Sequence, residues 1–171
     1  MTPEARRRRF WIVAGVLGLF FAALVFVRHG GTGYQLYRVP STSMAPTLQP
    51  SAFVIVNERD AALANLHRGD IVVFEPARRP GEQWVKRIVG MPGETVVAHG
   101  HDIEIDGKPL VEAWDTIREP KFQEGLGPTV ARVTLGADEF YVLGDNRPNS
   151  EDSRFFGPIK RAALRGKLVN N

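Results

Sequence analysis

"WVKRIVG" at residues 84–90 and "ETVVAH" at 94–99, joined by the turn "MPG", decide the fold. Both runs are short, rich in β-branched residues and bounded by Gly or Pro, which reads as strands rather than helix. Just downstream, "HDIEIDGKPLV" at 101–111 alternates about Asp106-Gly107, a strong hairpin signal. Further strand-like runs lie on either side: "FVIV" at 53–56, "DIVVFE" at 70–75, "TVARVTLG" at 129–136 and "EFYVLGD" at 139–145.

From Tyr34 onward the chain therefore reads as mostly β: a compact antiparallel β domain, barrel or sandwich, with frequent turn signals. Amphipathic helices are scarce. "NERDAALANL" at 57–66 and "IKRAALRG" at 159–166 are each expected to give a short one, and "WDTIREPKFQEGLGP" at 114–128 a loop. No internal repeat is found at a fixed period.

The chain of 171 residues has room for one domain of ordinary size. Its net charge of +3 is mild, and part of the excess sits in Arg6, Arg7, Arg8 and Arg9. No basic face of the kind a nucleic-acid-binding domain carries is indicated. The lack of cysteine excludes a disulfide framework, a thiolate metal site and a cysteine nucleophile.

Upstream of the domain, "FWIVAGVLGLFFAALVFV" spans residues 10–27 without a charge. At about 1.5 Å per residue, such a helix covers most of a hydrocarbon core about 30 Å thick. It is long for a cleavable signal peptide, and no small-x-small site follows it. The expected organisation is a basic cytoplasmic segment 1–9, a transmembrane anchor 10–28, a linker 29–34 and a domain 35–171. The arginines before the span place residues 1–9 in the cytoplasm and the domain outside, by the positive-inside rule.

The candidate chemistry falls in three stretches. In "VPSTSMAPTL", 39–48, small hydroxyl residues surround Met44. A serine such as Ser43 is a weak nucleophile until a base takes its proton. His29, His67, His99 and His101 read as loop residues. "HGHD" at 99–102 offers too few ligands for zinc, so no metal or other cofactor is expected. Lys86 is the other candidate base. Alternation puts Trp84, Lys86 and Ile88 on one face of its strand and Val85, Arg87 and Val89 on the other. If the first face is buried, desolvation lowers the lysine pKa and leaves a neutral fraction fit for general-base work. Alternation alone leaves open that Arg87 faces inward instead. The third stretch, "GDNRPNSEDSRFFGPI" at 144–159, mixes Asp145, Asn146, Arg147, Ser150, Asp152 and Arg154. That mixture suits either a polar surface loop or one locked by ion pairs and hydrogen bonds.

Together, "PSTSMAPTL", "VKRIVGMPGE" and "GDNRPNSEDSRFFGPI", in this order behind an anchor, resemble the nucleophile, lysine and G-D-N-R boxes of bacterial signal peptidase I, the Ser–Lys leader peptidases. "RGDIVVF" resembles the segment between the first two. The resemblance implies that Ser43 is the nucleophile and Lys86 the general base. It implies that the Ser41 hydroxyl and the Ser43 N–H form the oxyanion hole, and that Ser150 orients the lysine. Asp145, Asn146, Arg147, Asp152 and Arg154 would brace the site, with Met44 and Trp84 facing substrate and membrane. It further implies a monomer in the bacterial cytoplasmic membrane that removes signal peptides from preproteins with small residues at −3 and −1. Thr42 departs from the frequent Gly between the serines, and Pro148 from a frequent Asp. Two alternatives stand beside this reading: a Ser–Lys peptidase dedicated to one substrate, and a non-enzymatic anchored β domain that binds exported chains.

Overall fold

The computed structural model describes residues 33–119 and 129–169. The apolar run 10–27 and residues 120–128 lie outside the described residues. Among the described residues no helix is long and apolar enough to cross a membrane.

Among the described residues, two antiparallel sheets carry the domain. The larger has seven strands: β1 (Tyr34–Arg38), β2 (Phe53–Asn57), β3 (Ile71–Phe74), β4 (Trp84–Gly90), β9 (Glu139–Leu143), β10 (Ile159–Lys160) and β11 (Leu164–Leu168). Their order is β1-β2-β11-β3-β4-β9-β10. The smaller contains β5 (Thr95–His99), β6 (Asp102–Ile105), β7 (Lys108–Pro109) and β8 (Thr129–Thr134), in the order β7-β6-β5-β8. The expected hairpin turns at Asp106 and Gly107, whose φ values of 51° and 75° are what a tight primed turn needs.

The pairings explain which side chains meet. β3 and β4 run in register from Ile71↔Arg87 to Phe74↔Trp84, so Val72 shares a face with Lys86, and Phe74 with Trp84. On that face Val72, Phe74 and Ile88 join Phe140, Val142 and Leu164 in one core cluster. On the other, Ile71 and Val73 pack with Met44, Val56 and Leu168. β3 is buried at every position because both of its faces are covered, consistent with its unbroken apolar sequence. The β4–β9 register shifts between Ile88 and Gly90. Beyond that shift Val89, Tyr141 and Leu143 pack with Val96, Ala98 and Ile103 of the second sheet.

Two expectations are corrected. "IKRAALRG" is not a helix: it forms β10, a single 3-10 turn at Arg161–Ala163 and the start of β11. Leu164, Gly166 and Leu168 alternate inward, so period two overrides helix propensity, and Gly166 lets the strand close on Val56. A helical turn instead occurs at Ser153–Phe156, inside the stretch read as a polar loop, with the Asp152 carboxylate capping the Arg154 N–H. The expected short helix in 57–66 is present as Asp60–Ala64.

Candidate active site

The β1–β2 connection turns tightly through residues 39–52. Val39 N–H donates to the Ala52 carbonyl and Ser51 N–H to the Val39 carbonyl, closing the base of the loop. Within it Leu48 N–H donates to the Met44 carbonyl. Met44 is buried (1% exposed) among Val56, Ile71, Val73 and Leu168. It roots the loop in the core and floors the adjoining cleft. This corrects the expectation that Met44 faces the membrane: an unbranched apolar side chain at this position fills a core gap instead. Trp84 is half-buried and lines the cleft.

That rooting presents Ser43 to β4. Lys86 Nζ lies 2.9 Å from Ser43 Oγ and 3.2 Å from the Val85 carbonyl. Ser41 Oγ lies 3.1 Å from Ser43 Oγ and accepts from the Ser43 N–H at 3.4 Å. Lys86 is 5% exposed, and its amine sits 5.6 Å from the centre of the Trp84 ring. Burial among these groups pushes its pKa down to about 8, against the raising pull of Asp152, Glu151 and Asp145. Arg87 is buried as well, at 4%. The choice between an inward lysine and an inward arginine dissolves, because a central strand covered on both faces buries both.

The two neighbours differ in how they are satisfied. Arg87 grips Asp145 with two parallel bonds, Nε to Oδ1 at 2.9 Å and Nη2 to Oδ2 at 2.7 Å. The Thr47 hydroxyl adds a 2.6 Å bond to the same carboxylate. The charge of Arg87 is thus matched, whereas Lys86 meets a hydroxyl and a carbonyl. Asp145 thereby ties the serine loop, β4 and the end of β9 together.

The G-D-N-R stretch completes the frame. Asn146 N–H donates to the Ser43 carbonyl at 3.0 Å and its side-chain amide to the Thr42 carbonyl at 3.2 Å. Asp152 and Arg154 form a wholly buried pair, and Asp152 also accepts from the Gly144 N–H at 3.1 Å. Arg154 donates to the Arg147 carbonyl at 2.7 Å. Arg147, fully buried, donates to the Gly144 and His101 carbonyls and pairs with Glu112. Ser150 is buried, and among the described residues its hydroxyl has no hydrogen-bond partner, so the expected bond to Lys86 is not made in this structure.

Arg87, Thr47, Gly144 and Glu112 were missed as supporting residues. Arg87 and Thr47 stand inside the recognised boxes, which was a usable signal. Glu112 lies in no box, and nothing near it in sequence announces Arg147. His99 is exposed while His101 is buried beside Arg154, and no metal-holding cluster of His, Cys, Asp or Glu occurs among the described residues.

A serine hydroxyl within hydrogen-bond reach of a buried lysine, on an antiparallel β domain, matches the constellation of serine peptidases in which lysine stands in place of histidine. The chain belongs to the signal peptidase family, peptidase S26, whose model matches residues 8–170. It is 38% identical over 138 residues to signal peptidase I of Leptolyngbya laminosa, covering 77% of this chain and 64% of that protein. It is 29% identical over 169 residues to signal peptidase I V of Bacillus subtilis strain 168, covering 95% and 97%. A crystal structure of a signal peptidase I from Enterococcus faecalis aligns with a TM-score of 0.48 at 34% identity, over 61% of this chain and 97% of that one.

Proposed function

We propose that this chain is a membrane-anchored serine endopeptidase that removes signal peptides from exported preproteins. The observation that carries the reading is the 2.9 Å approach of the buried Lys86 amine to Ser43 Oγ. In its neutral form the amine accepts the serine proton as the oxygen attacks the scissile carbonyl. The tetrahedral oxyanion takes hydrogen bonds from the Ser43 N–H and the Ser41 hydroxyl; without substrate the Ser43 N–H donates to Ser41 Oγ and the Ser41 hydroxyl to Ser43 Oγ. Lys86 then gives its proton to the leaving amine, and a water activated the same way releases the acyl group. Ser150 belongs to the proposal as a buried hydroxyl available to the lysine ammonium while it carries the proton.

The cleft between Val39, Ser41, Met44, Trp84 and Val85 has a volume of about 300 Å³ and adjoins Ser43, where the residues before the cut, small at −3 and −1 on this reading, would lie. The family match starts at residue 8 and so takes in the apolar run, which supports an anchor at 10–28 with the domain outside the cytoplasmic membrane. The test is cleavage of a model preprotein by the detergent-solubilised protein. Wild type is expected to cut after a small-x-small site, with Ser43→Ala and Lys86→Ala each slower by at least about 10³-fold. A folded wild type that leaves several such preproteins intact would overturn the reading.

A further inference from the structure

After β7 the chain passes through residues 111–118 outside both sheets. Its burial alternates: Glu112, Trp114, Thr116 and Arg118 turn inward, while Val111, Ala113, Asp115 and Ile117 are exposed. The stretch belongs to none of the recognised boxes, and none of its residues lines the cleft beside Ser43. Its contacts nevertheless converge on the turn that holds the nucleophile. Ile117 N–H donates to the Asp145 carbonyl at 2.8 Å, and Arg147 N–H donates to the Ile117 carbonyl at 2.9 Å. These two bonds bracket Asn146, whose own N–H donates to the Ser43 carbonyl at 3.0 Å. Asn146 is therefore held between Ser43 on one side and Ile117 on the other.

Two of the inward side chains reach the arginines of the same frame. The Trp114 ring lies against the Arg87 guanidinium, 4.8 Å from its central carbon to the ring centre. That guanidinium grips Asp145 and donates to the Gly69 carbonyl at 2.7 Å, so it is fixed by bonds in its plane and by the ring on its face. Glu112 pairs through one carboxylate oxygen with the fully buried Arg147, and through the other with Arg118. A buried guanidinium is costly without its carboxylate, so Glu112 fixes where Arg147 sits.

We propose that Trp114 and Glu112 are positioning residues for the reaction, holding Ser43 and Lys86 in place from behind the site through Arg87 and Arg147. The proposal rests on the Ser43–Lys86 peptidase reading above. It separates from a merely structural role at the base. Beyond its burial, Lys86 feels Asp152, Glu151 and Asp145, which raise its pKa, and Arg154, which lowers it. Trp114 bears on this set through Asp145. An Arg87 released from the ring screens that carboxylate less, and the lysine then keeps its proton to higher pH.

The experiment is preprotein cleavage by the full chain in detergent, with kcat and KM followed against pH and referred to folded protein by circular dichroism. Trp114→Leu keeps an apolar side chain but no ring face. It is expected to lower kcat about tenfold, to leave KM within about twofold, and to move the acid limb to higher pH. Trp114→Phe restores the face and should recover most of kcat and the wild-type limb. Glu112→Gln, of the same size without the charge, is expected to lose about tenfold in kcat at unchanged KM. Asp115→Asn, exposed on the same segment, should match wild type throughout. Loss of folded protein scales the rate equally at every pH and leaves the limb in place. An unmoved limb in Trp114→Leu, or a wild-type kcat in Glu112→Gln, overturns the proposal and makes the segment packing alone. Should Trp114→Leu not fold, Glu112→Gln decides by its split between kcat and KM. If wild type cuts no preprotein, the peptidase reading fails first and the positioning role with it.

Discussion

At the scale of single residues the decisive quantity is the charge of Lys86. Its depression from 10.5 to about 8 corresponds to roughly 3 kcal/mol of disfavour for the ammonium in the folded chain. The rate should therefore rise with pH along an acid limb centred near 8. Glu151, exposed at the edge of the cleft, pulls the value upward. Glu151→Gln is expected to move the limb to lower pH, read from kcat/KM against pH, and an unmoved limb would detach Glu151 from the base. The same burial weighs on stability. Below about pH 8 the lysine is charged in both the folded and the unfolded chain, and the disfavour is constant. Between 8 and 10.5 only the unfolded chain holds the proton, so wild-type stability rises with pH across that window. Lys86→Met, of similar shape and without charge, should be inactive yet more stable at pH 7 by about 1–3 kcal/mol. Its advantage in urea midpoint should shrink as the pH approaches 10. A variant no more stable than wild type at pH 7 would mean that the ammonium is not desolvated.

At the scale of elements the site is an intersection: one loop, the middle of β4 and the turn after β9. A Cβ on Gly144 would stand 2.5 Å from the Ser43 carbonyl and press on the Ser150 hydroxyl. Gly144→Ala should thus displace the serine and lower kcat by about 10²-fold, as ångström-scale misplacement of reacting groups does. Gly90→Ala is the matched control, since its Cβ would press on Tyr141, Val96 and Leu135 in the core against the second sheet, four residues along β4 from Lys86. It should lower the melting temperature with a much smaller effect on kcat. If both variants lose activity alike, Gly144 has no special tie to the serine. Elements of this kind were largely legible. β4 and β5 were readable because β-branched runs bounded by Gly and Pro have few alternatives, and the Asp106-Gly107 turn because only a primed turn fits it. The helical turn at Ser153–Phe156 was not, because its N-cap Asp152 reads like any loop aspartate until Arg154 folds back on it. Nor were the braces, since Arg87 meets Asp145 and Arg147 meets Glu112 only once distant strands have paired.

At the scale of the whole molecule, strand order was the part hidden from the sequence. β11, the last strand, inserts between β2 and β3, and no local pattern announces so long a return. Its consequence is an outer ribbon of β1 and β2 at one edge of the large sheet, at the start of the described residues. Register pairs Leu36 with Ile55, and Phe53 shares their face two residues along. All three are more than half exposed, at 65%, 52% and 66%. A soluble surface gains nothing from three neighbouring large apolar side chains in water. On the proposed orientation this ribbon lies where the chain leaves the bilayer, and its apolar face would rest in the membrane interface. That would bring the cleft to the level at which a signal peptide emerges. The double variant Leu36→Glu, Ile55→Glu tests this, because a charge transferred toward hydrocarbon is penalised whereas the same charge in a micelle rim stays hydrated. With preprotein and enzyme reconstituted in the same vesicles, cleavage is expected to fall about tenfold, while cleavage in detergent stays at the wild-type rate. Equal loss in both media would make the ribbon a folding element. No loss in either would mean that the domain stands clear of the lipid and that the anchor alone sets its distance from the substrate.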